Sequence, residues 1–356
     1  MKRPLGYLMT IAVIMSACAG KWVPEGEQSV KRYRIAFGSC AKQTKEQPIL
    51  DAIVDNKPDV FIYLGDNIYG DTRDMDVLQK KYDQLAAKPE FQRLKQATDI
   101  LATWDDHDFG ENDAGRYYPF KEASKEIFLN FWEEPKNSER WKHKGIYHAV
   151  RLKDAPIDIQ VILLDTRTFR DNLTARMKEK NTPYKNDYQP TISPDSTFLG
   201  AEQWAWLKTK LEEKADLRII ASSNQFSHEY NGWESWTNVP HERKKMVQLI
   251  QETKAKGVVF LSGDVHWGEI SKYENAHTYP IYDITSSGLT QSWHDIEPNK
   301  NRIGFPIRKN NFGLIEIEKQ TKTKLIFKLK NKKNLVAVQH SIDLSELDFT
   351  FKHDGL

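Results

Sequence analysis

Seven short apolar runs recur along the chain, each closed by a polar or glycine-bearing turn. They are 34–40 (RIAFGSC), 59–71 (DVFIYLGDNIYGD), 99–108 (DILATWDDHD), 157–170 (IDIQVILLDTRTFR), 217–229 (LRIIASSNQFSHE), 257–269 (GVVFLSGDVHWGE) and 279–288 (YPIYDITSSG). Rich in Ile, Val, Leu, Phe and Tyr and without strict polar–apolar alternation, they predict strands covered on both faces. Stretches with helical character, 48–56, 78–97, 200–215 and 242–257, lie between them. Strands alternating with helices predict an α/β architecture. Residues 312–344 predict instead a set of antiparallel strands with lysine-bearing turns. Their seven lysines between 319 and 333 read as a solvated strand face or a protected sheet edge. The polar segment 174–196, with three prolines, predicts a long surface loop.

Composition adds a leader and little else. Residues 1–20, MKRPLGYLMTIAVIMSACAG, begin basic, continue through an apolar run and end in small residues, the pattern of an export signal. MSAC resembles a lipobox, which predicts cleavage before Cys18 and a lipid anchor on it; ordinary cleavage after Ala19 is the competing reading. The expected organisation is a signal peptide over 1–18, a linker over 19–31, one catalytic domain over 32–345 that includes the strands of 312–345, and a tail over 346–356. Lys and Arg number 52 against 50 Asp and Glu, and Lys2 and Arg3 fall in the leader. The remainder is balanced and carries no nucleic-acid-binding signature. No protein partner is evident. The chain has two cysteines, Cys18 and Cys40, so a disulfide framework is excluded.

The strand runs end in groups that do chemistry: Cys40; Asp66 and Asn67; Asp105, Asp106, His107 and Asp108; Asp165 and Arg167; Asn224 and Gln225; Asp264 and His266. In an open α/β sheet the carboxyl ends of the strands form the ligand crevice. A thiol, imidazoles, several carboxylates and an amide make a mixed set of metal donors. Carboxylates at the density of TWDDHDFGEND (103–113) would repel one another unless cations sit among them. GxSxG, GxxxxGK[ST] and GxGxxG motifs are absent, which removes nucleophile-elbow hydrolases, Walker-type NTPases and dinucleotide folds. A pair of carboxylates acting on a glycoside would leave Cys40 and His266 without a purpose.

With these motifs in order, namely FGSC (37–40), YLGDNIY (63–69), TWDDHDFGEN (103–112), LLDTRTFR (163–170), WESWTNVPHER (233–243) and SGDVHWGE (262–269), the sequence resembles the alkaline phosphatase D-like metallophosphoesterases, relatives of the calcineurin-like phosphoesterases. The resemblance implies two mixed β-sheets sandwiched between helices, with metals at the strand ends. It implies iron, Fe(3+), on Cys40, Asp66, Tyr69 and His266, and calcium, Ca(2+), on Asp66, Asn112 and Asp264. Which of Asp105, Asp106 and Asp108 bind metal stays open. Asp106 and His107 fall on the family's catalytic segment, with His107 near the scissile phosphate. Arg167 is a candidate phosphate clamp, and Asn224 and His228 are candidate substrate-binding residues. Trp233, Trp236 and Trp267 are candidate pocket walls. Larger members carry an N-terminal β-domain, and with FGSC this close to the leader none is expected here.

The implied activity is hydrolysis of phosphate mono- or diesters by metal-activated hydroxide attacking phosphorus. Phospholipid or polyol-phosphate diesters are alternative substrates, and a non-catalytic surface lipoprotein that binds phosphorylated ligands is an alternative function. The expected location is the periplasm or cell envelope, with contact to the membrane through Cys18.

Overall fold

The computed structural model describes residues 30–179 and 182–350. The leader and the Cys18 site lie outside the described residues. Thirteen strands and seven helices follow in chain order: β1 (Lys31–Gly38), α1 (Ile49–Val54), β2 (Val60–Leu64), α2 (Met75–Ala86), α3 (Pro89–Ala97), β3 (Asp99–Thr103), α4 (Asp106–Phe109), α5 (Lys121–Phe131), β4 (His148–Arg151), β5 (Ile159–Leu163), α6 (Gly200–Glu212), β6 (Leu217–Ala221), α7 (Pro240–Thr253), β7 (Val258–Ser262), β8 (Gly268–Tyr273), β9 (Ile281–Ser286), β10 (Arg302–Ile307), β11 (Asn311–Lys319), β12 (Thr323–Asn331) and β13 (Val336–Asp343). They form two mixed sheets, ordered β13-β12-β11-β1-β2-β3 and β10-β8-β9-β7-β6-β5-β4. This is the predicted sandwich.

The period-two geometry of a strand sorts side chains between layers. In the first sheet Ile35, Phe37, Val60, Ile62 and Leu64 join the core shared with Val161, Ile219, Leu261 and Ile284 of the second. Ala36, Phe61 and Tyr63 point the other way, into a second core with Leu50, Ile53, Leu78, Tyr82 and Phe128 of the helices. On the far side, Trp204, Leu207, Met246 and Ile250 of α6 and α7 pack on the second sheet. Both faces of the central strands are therefore apolar, which is why their sequences do not alternate.

Two local expectations change. The helix expected over 78–97 is two, because Pro89 cannot donate a backbone hydrogen bond and disfavours helical Lys88, which is extended at φ −72°, ψ 127°. The run 257–269 is not one strand. It turns at Asp264–His266, and β8 returns antiparallel to β9. Residues 311–343 do form the antiparallel set, joined to β1 through β11. Packed structure continues past 345, since Leu347 is fully buried and Phe349 packs against the core.

The parallel strands β1, β2 and β3 of one sheet and β5, β6, β7 and β9 of the other carry the site. Hydrogen bonds stitch the sheets beyond their carboxyl ends: Ser39 N–H donates to Ser286 O at 3.1 Å, and Thr103 Oγ1 to Leu164 O at 2.7 Å.

Candidate active site

Four donor residues that follow strands sit in left-handed backbone: Cys40 (φ 62°), Asp66 (φ 49°), Asp264 (φ 70°) and His266 (φ 62°). For an L-residue this costs on the order of 1–2 kcal/mol each, and such strain persists only where the surroundings hold it. The turn after β2 also runs tight against the turn after β3. A Cβ on Gly65 (φ 101°) would lie 2.6 Å from Asp105 Cβ, so glycine is required there.

The side chains converge in overlapping groups whose donor atoms lie within 4.8 Å of one another. Cys40, Asp66 and His266 form one; Asp66, Asp106 and His107 a second; Asp105, Asp106 and Asp264 a third. Cys40 Sγ lies 3.3 Å from Asp66 Oδ2 and 3.2 Å from Ser287 Oγ. Tyr69 Oη lies 3.1 Å from His266 Nε2, and Gln43 holds the Tyr69 backbone N–H at 2.8 Å. Asp66, Asp106, His107, Asn112, Asp264 and His266 line one cavity of about 260 Å3, with Cys40 buried beside Asp66.

The three aspartates of the DDHD segment separate by their partners. Asp108 accepts from the N–H groups of Asn67 (3.0 Å), Ile68 (3.3 Å) and Asp105 (3.0 Å) and from Tyr82 Oη (3.1 Å), so it pins the β2 and β3 turns together. Asp105 is gripped by Arg167 through Oδ1, while its Oδ2 is buried without a partner among the described residues. Asp106 accepts the Asp113 N–H at 2.8 Å on Oδ2, and its Oδ1 has no hydrogen-bond partner. Asp66 Oδ1 is likewise buried without a partner. Orphaned carboxylate oxygens are rare in native proteins and point to a missing ligand.

The electrostatics agree. Burial first, then the charge of Cys40, pushes Asp66 well above the usual carboxylate range; burial, then Asp105, does the same to Asp264. Burial pushes the Cys40 thiol up to about 12. Burial also opposes the charge on Asp106, but Arg167 and His107 override it and hold Asp106 at about 2. For His107 burial is again outweighed, here by Asp66, Asp106 and Asp71, and its pKa rises to about 11. His107 Nδ1 lies 2.6 Å from Asp71 Oδ1, and its ring leans on Tyr69 with centroids 4.2 Å apart. Burial and the facing His107 push His266 down to about 4, the neutral form that coordinates metal. The donor set thus fits cations: hard carboxylates, one thiol, one neutral imidazole and a phenol.

Three expected site residues lie elsewhere. Arg167 is fully buried, does not line the cavity and is ion-paired to Asp105 and Glu234, with Asp106 Oδ1 at 3.8 Å. An unpaired arginine there would be costly, so the fold supplies it with two carboxylates. Asn224 and His228 are fully buried and absent from the cavity lining. Trp233 and Trp267 line the cavity, whereas Trp236 is a core residue that meets Phe198 at a tilt and Phe226 edge to face.

His228 has no hydrogen bond on either ring nitrogen, and Glu269 at 3.7 Å is too distant to provide one. Burial lowers its pKa to about 4. An unfolded chain would titrate this histidine near 6.5, so the unfolded state binds the extra proton between pH 6.5 and 4. Its contribution to stability is present above pH 6.5 and lost as pH falls towards 4, about 3 kcal/mol in all. His228→Gln should flatten the stability–pH curve in that window. Urea midpoints that fall in parallel with wild type from pH 7 to pH 5 would remove His228 as the cause.

Asp71, Arg170, Tyr188, Glu234 and Trp293 are not among the site residues expected from the sequence, and Asp113 is expected only as part of the acidic segment 103–113. Glu234, paired with Arg167 and Arg170, lines the cavity together with Asp113, Tyr188 and Trp293, and forms a further donor group with Asp106 and Asp113. Glu234 could have been noticed as an acid set between tryptophans in WESW. Nothing local marks Trp293.

An αββα sandwich with a cluster of metal donors at its strand ends defines the metallophosphoesterase type of phosphatase. The PhoD-like phosphatase family model matches residues 35–322, and the chain belongs to that family. It is similar to alkaline phosphatase D of Bacillus subtilis (strain 168), 24% identical over 291 residues, which are 69% of this chain and 48% of that protein. The chain therefore spans about half the length of that relative. Among solved structures it resembles PhoD (TM-score 0.68, 17% identity, 89% of this chain and 70% of that one) and a dimetal phosphatase from Danio rerio (TM-score 0.53, 14% identity, 88% and 99%). These likenesses show the fold, and with the acidic and histidine clusters they point to metal binding. Among the described residues no helix is long and apolar enough to cross a membrane.

Proposed function

We propose that the chain is an exported, metal-dependent phosphoesterase that hydrolyses phosphate mono- or diesters in the cavity over Asp66. The observation that carries this reading is that Asp66 belongs to two donor groups at once and keeps an unpartnered oxygen, as a carboxylate shared by two cations would. Cys40, His266 and Tyr69 suit iron(III) on one side of it. Asp106, Asp264 and the nearby Asn112 supply oxygen donors for calcium on the other, and Asp105 and Asp108 serve as supports. When bound, such ions lower the pKa of water and neutralise charge on a phosphoryl group.

The chain's own groups do the rest. His107, oriented by Asp71, can hydrogen-bond the phosphate and hand its proton to the departing alcohol oxygen. Arg167 and Arg170 hold Asp105 beneath the cavity and Glu234 in its wall. Trp233, Trp267 and Trp293 wall the cavity and limit water around the ester.

Stripping metal with chelator should abolish hydrolysis of nitrophenyl phosphate and lower the melting temperature, because the acids lose the charge that balances them. Elemental analysis should find iron and calcium near stoichiometry, and re-addition should restore both properties. A metal-free protein that turns over at the full rate would end this reading. Comparing nitrophenyl phosphate with bis-nitrophenyl phosphate separates monoester from diester preference.

Anchoring through Cys18 rests on the MSAC pattern. Cys18→Ala should move the expressed protein from the membrane fraction to the soluble fraction. Unchanged membrane association of that variant would reject the anchor.

A further inference from the structure

Away from the candidate active site, the first turn of α7, strand β8 and the edge strand β10 enclose a cleft of about 520 Å3. It is lined by Arg243, Lys272, Tyr273, Lys300 and Arg302 among others. A second cavity of about 690 Å3 adjoins it, sharing Arg243, Tyr273 and Glu229, and is walled by Tyr184, Tyr230, Val247 and three prolines. Neither shares a lining residue with the active-site cavity.

Arg243 stands apart from the other shielded arginines. Arg140, Arg167, Arg170, Arg176, Arg218 and Arg302 each donate to a carboxylate or a carbonyl. Arg243 donates to none among the described residues: its Nε and Nη2 are buried without a partner. Its guanidinium lies 4.1 Å from the centroid of Tyr273, and burial lowers its pKa. The other cations of the cleft are matched. Lys300 pairs with Glu229 at 2.6 Å, Lys272 with Glu274 at 2.6 Å, and Arg302 with buried Glu269. One positive charge is left over, on Arg243.

Its position compounds the cost. Arg243 lies in the first turn of α7, where the helix dipole disfavours a cation, and the N-cap Val239 offers no side-chain hydrogen bond. The one acid of that turn, Glu242, is committed elsewhere, to Thr197, Phe198, Leu199 and Trp204. An anion in the cleft would offset both penalties by pairing with the guanidinium.

We propose that this cleft is a second binding site, for a small organic anion. A phosphate or phosphonate head would sit at Arg243, and an apolar or aromatic body would enter the tyrosine- and proline-walled cavity beside it.

Isothermal titration of the full metal-loaded chain with phenylphosphonate tests it. Wild type should show two binding events, one at each cavity. Arg243→Met, which keeps a long apolar side chain over Tyr273, should keep one and weaken the other about tenfold or more. It should also hydrolyse nitrophenyl phosphate at the wild-type kcat/KM and melt no lower than wild type in anion-free buffer. A single event in wild type, or two unchanged events in the variant, overturns the site. A lower melting temperature with an unchanged isotherm would assign Arg243 to packing alone.

Discussion

Asp66→Asn should lower kcat for phosphate-ester hydrolysis by about a thousandfold while the protein stays folded. The activity loss follows from the position of Asp66, whose carboxylate belongs both to the Cys40–His266 group and to the Asp106–His107 group. Several kcal/mol of charge stabilisation on the transferring phosphoryl group depend on cations held there, and each 1.36 kcal/mol is tenfold in rate. The fold should survive for separate reasons. Asp66 adopts φ 49°, which asparagine tolerates better than alanine does. Burial and its acidic neighbours already make its charge unwelcome without metal, so a neutral amide relieves repulsion. The measurements are kcat with nitrophenyl phosphate, metal content and thermal melting. Turnover like that of wild type in the Asp66 variant would reject a shared carboxylate as the centre of the site.

Arg167→Ala should instead act on stability, at a cost of about 3–5 kcal/mol. Arg167 is fully buried between Asp105 and Glu234, and its loss strands Asp105 in the interior and leaves Glu234 with Arg170 alone. It also removes the main charge that holds Asp106 at about 2, so activity should fall through Asp106 as well. Arg167→Lys keeps the charge but not the two-sided grip, and should recover part of the urea midpoint. The alternative is a direct clamp on substrate phosphate. That role predicts a wild-type urea midpoint in Arg167→Ala together with a KM raised many-fold, and this pair of results would reverse the assignment made from the structure.

The two residues also show how far a sequence can be read. Asp66 was identifiable because it ends an apolar run beside glycine, and a strand end is where α/β proteins place ligands. Arg167 ends a run in the same way, yet the fold turns it inward. Chain order shows that a polar residue follows a strand. It does not show whether a distant acid, here Glu234 some sixty residues on, waits to pair with it. The DDHD segment makes the same point within four residues. Asp105, Asp106 and Asp108 are alike in sequence, but one pairs with arginine, one lines the cavity, and one caps the β2 turn.

From composition and order alone came the layered α/β architecture, the antiparallel set near the end of the chain and the strand-end donors, because burial on two faces and turn chemistry are local properties that side chains carry with them. Tertiary structure alone decided which donors share one cavity, that Trp236 is core while Trp293 is wall, and that Arg243 meets no acceptor among the described residues. Those outcomes depend on which distant segments meet. Coulombic and desolvation energies are set by neighbours in space, and the chain's order leaves those neighbours unspecified until the two sheets close on each other.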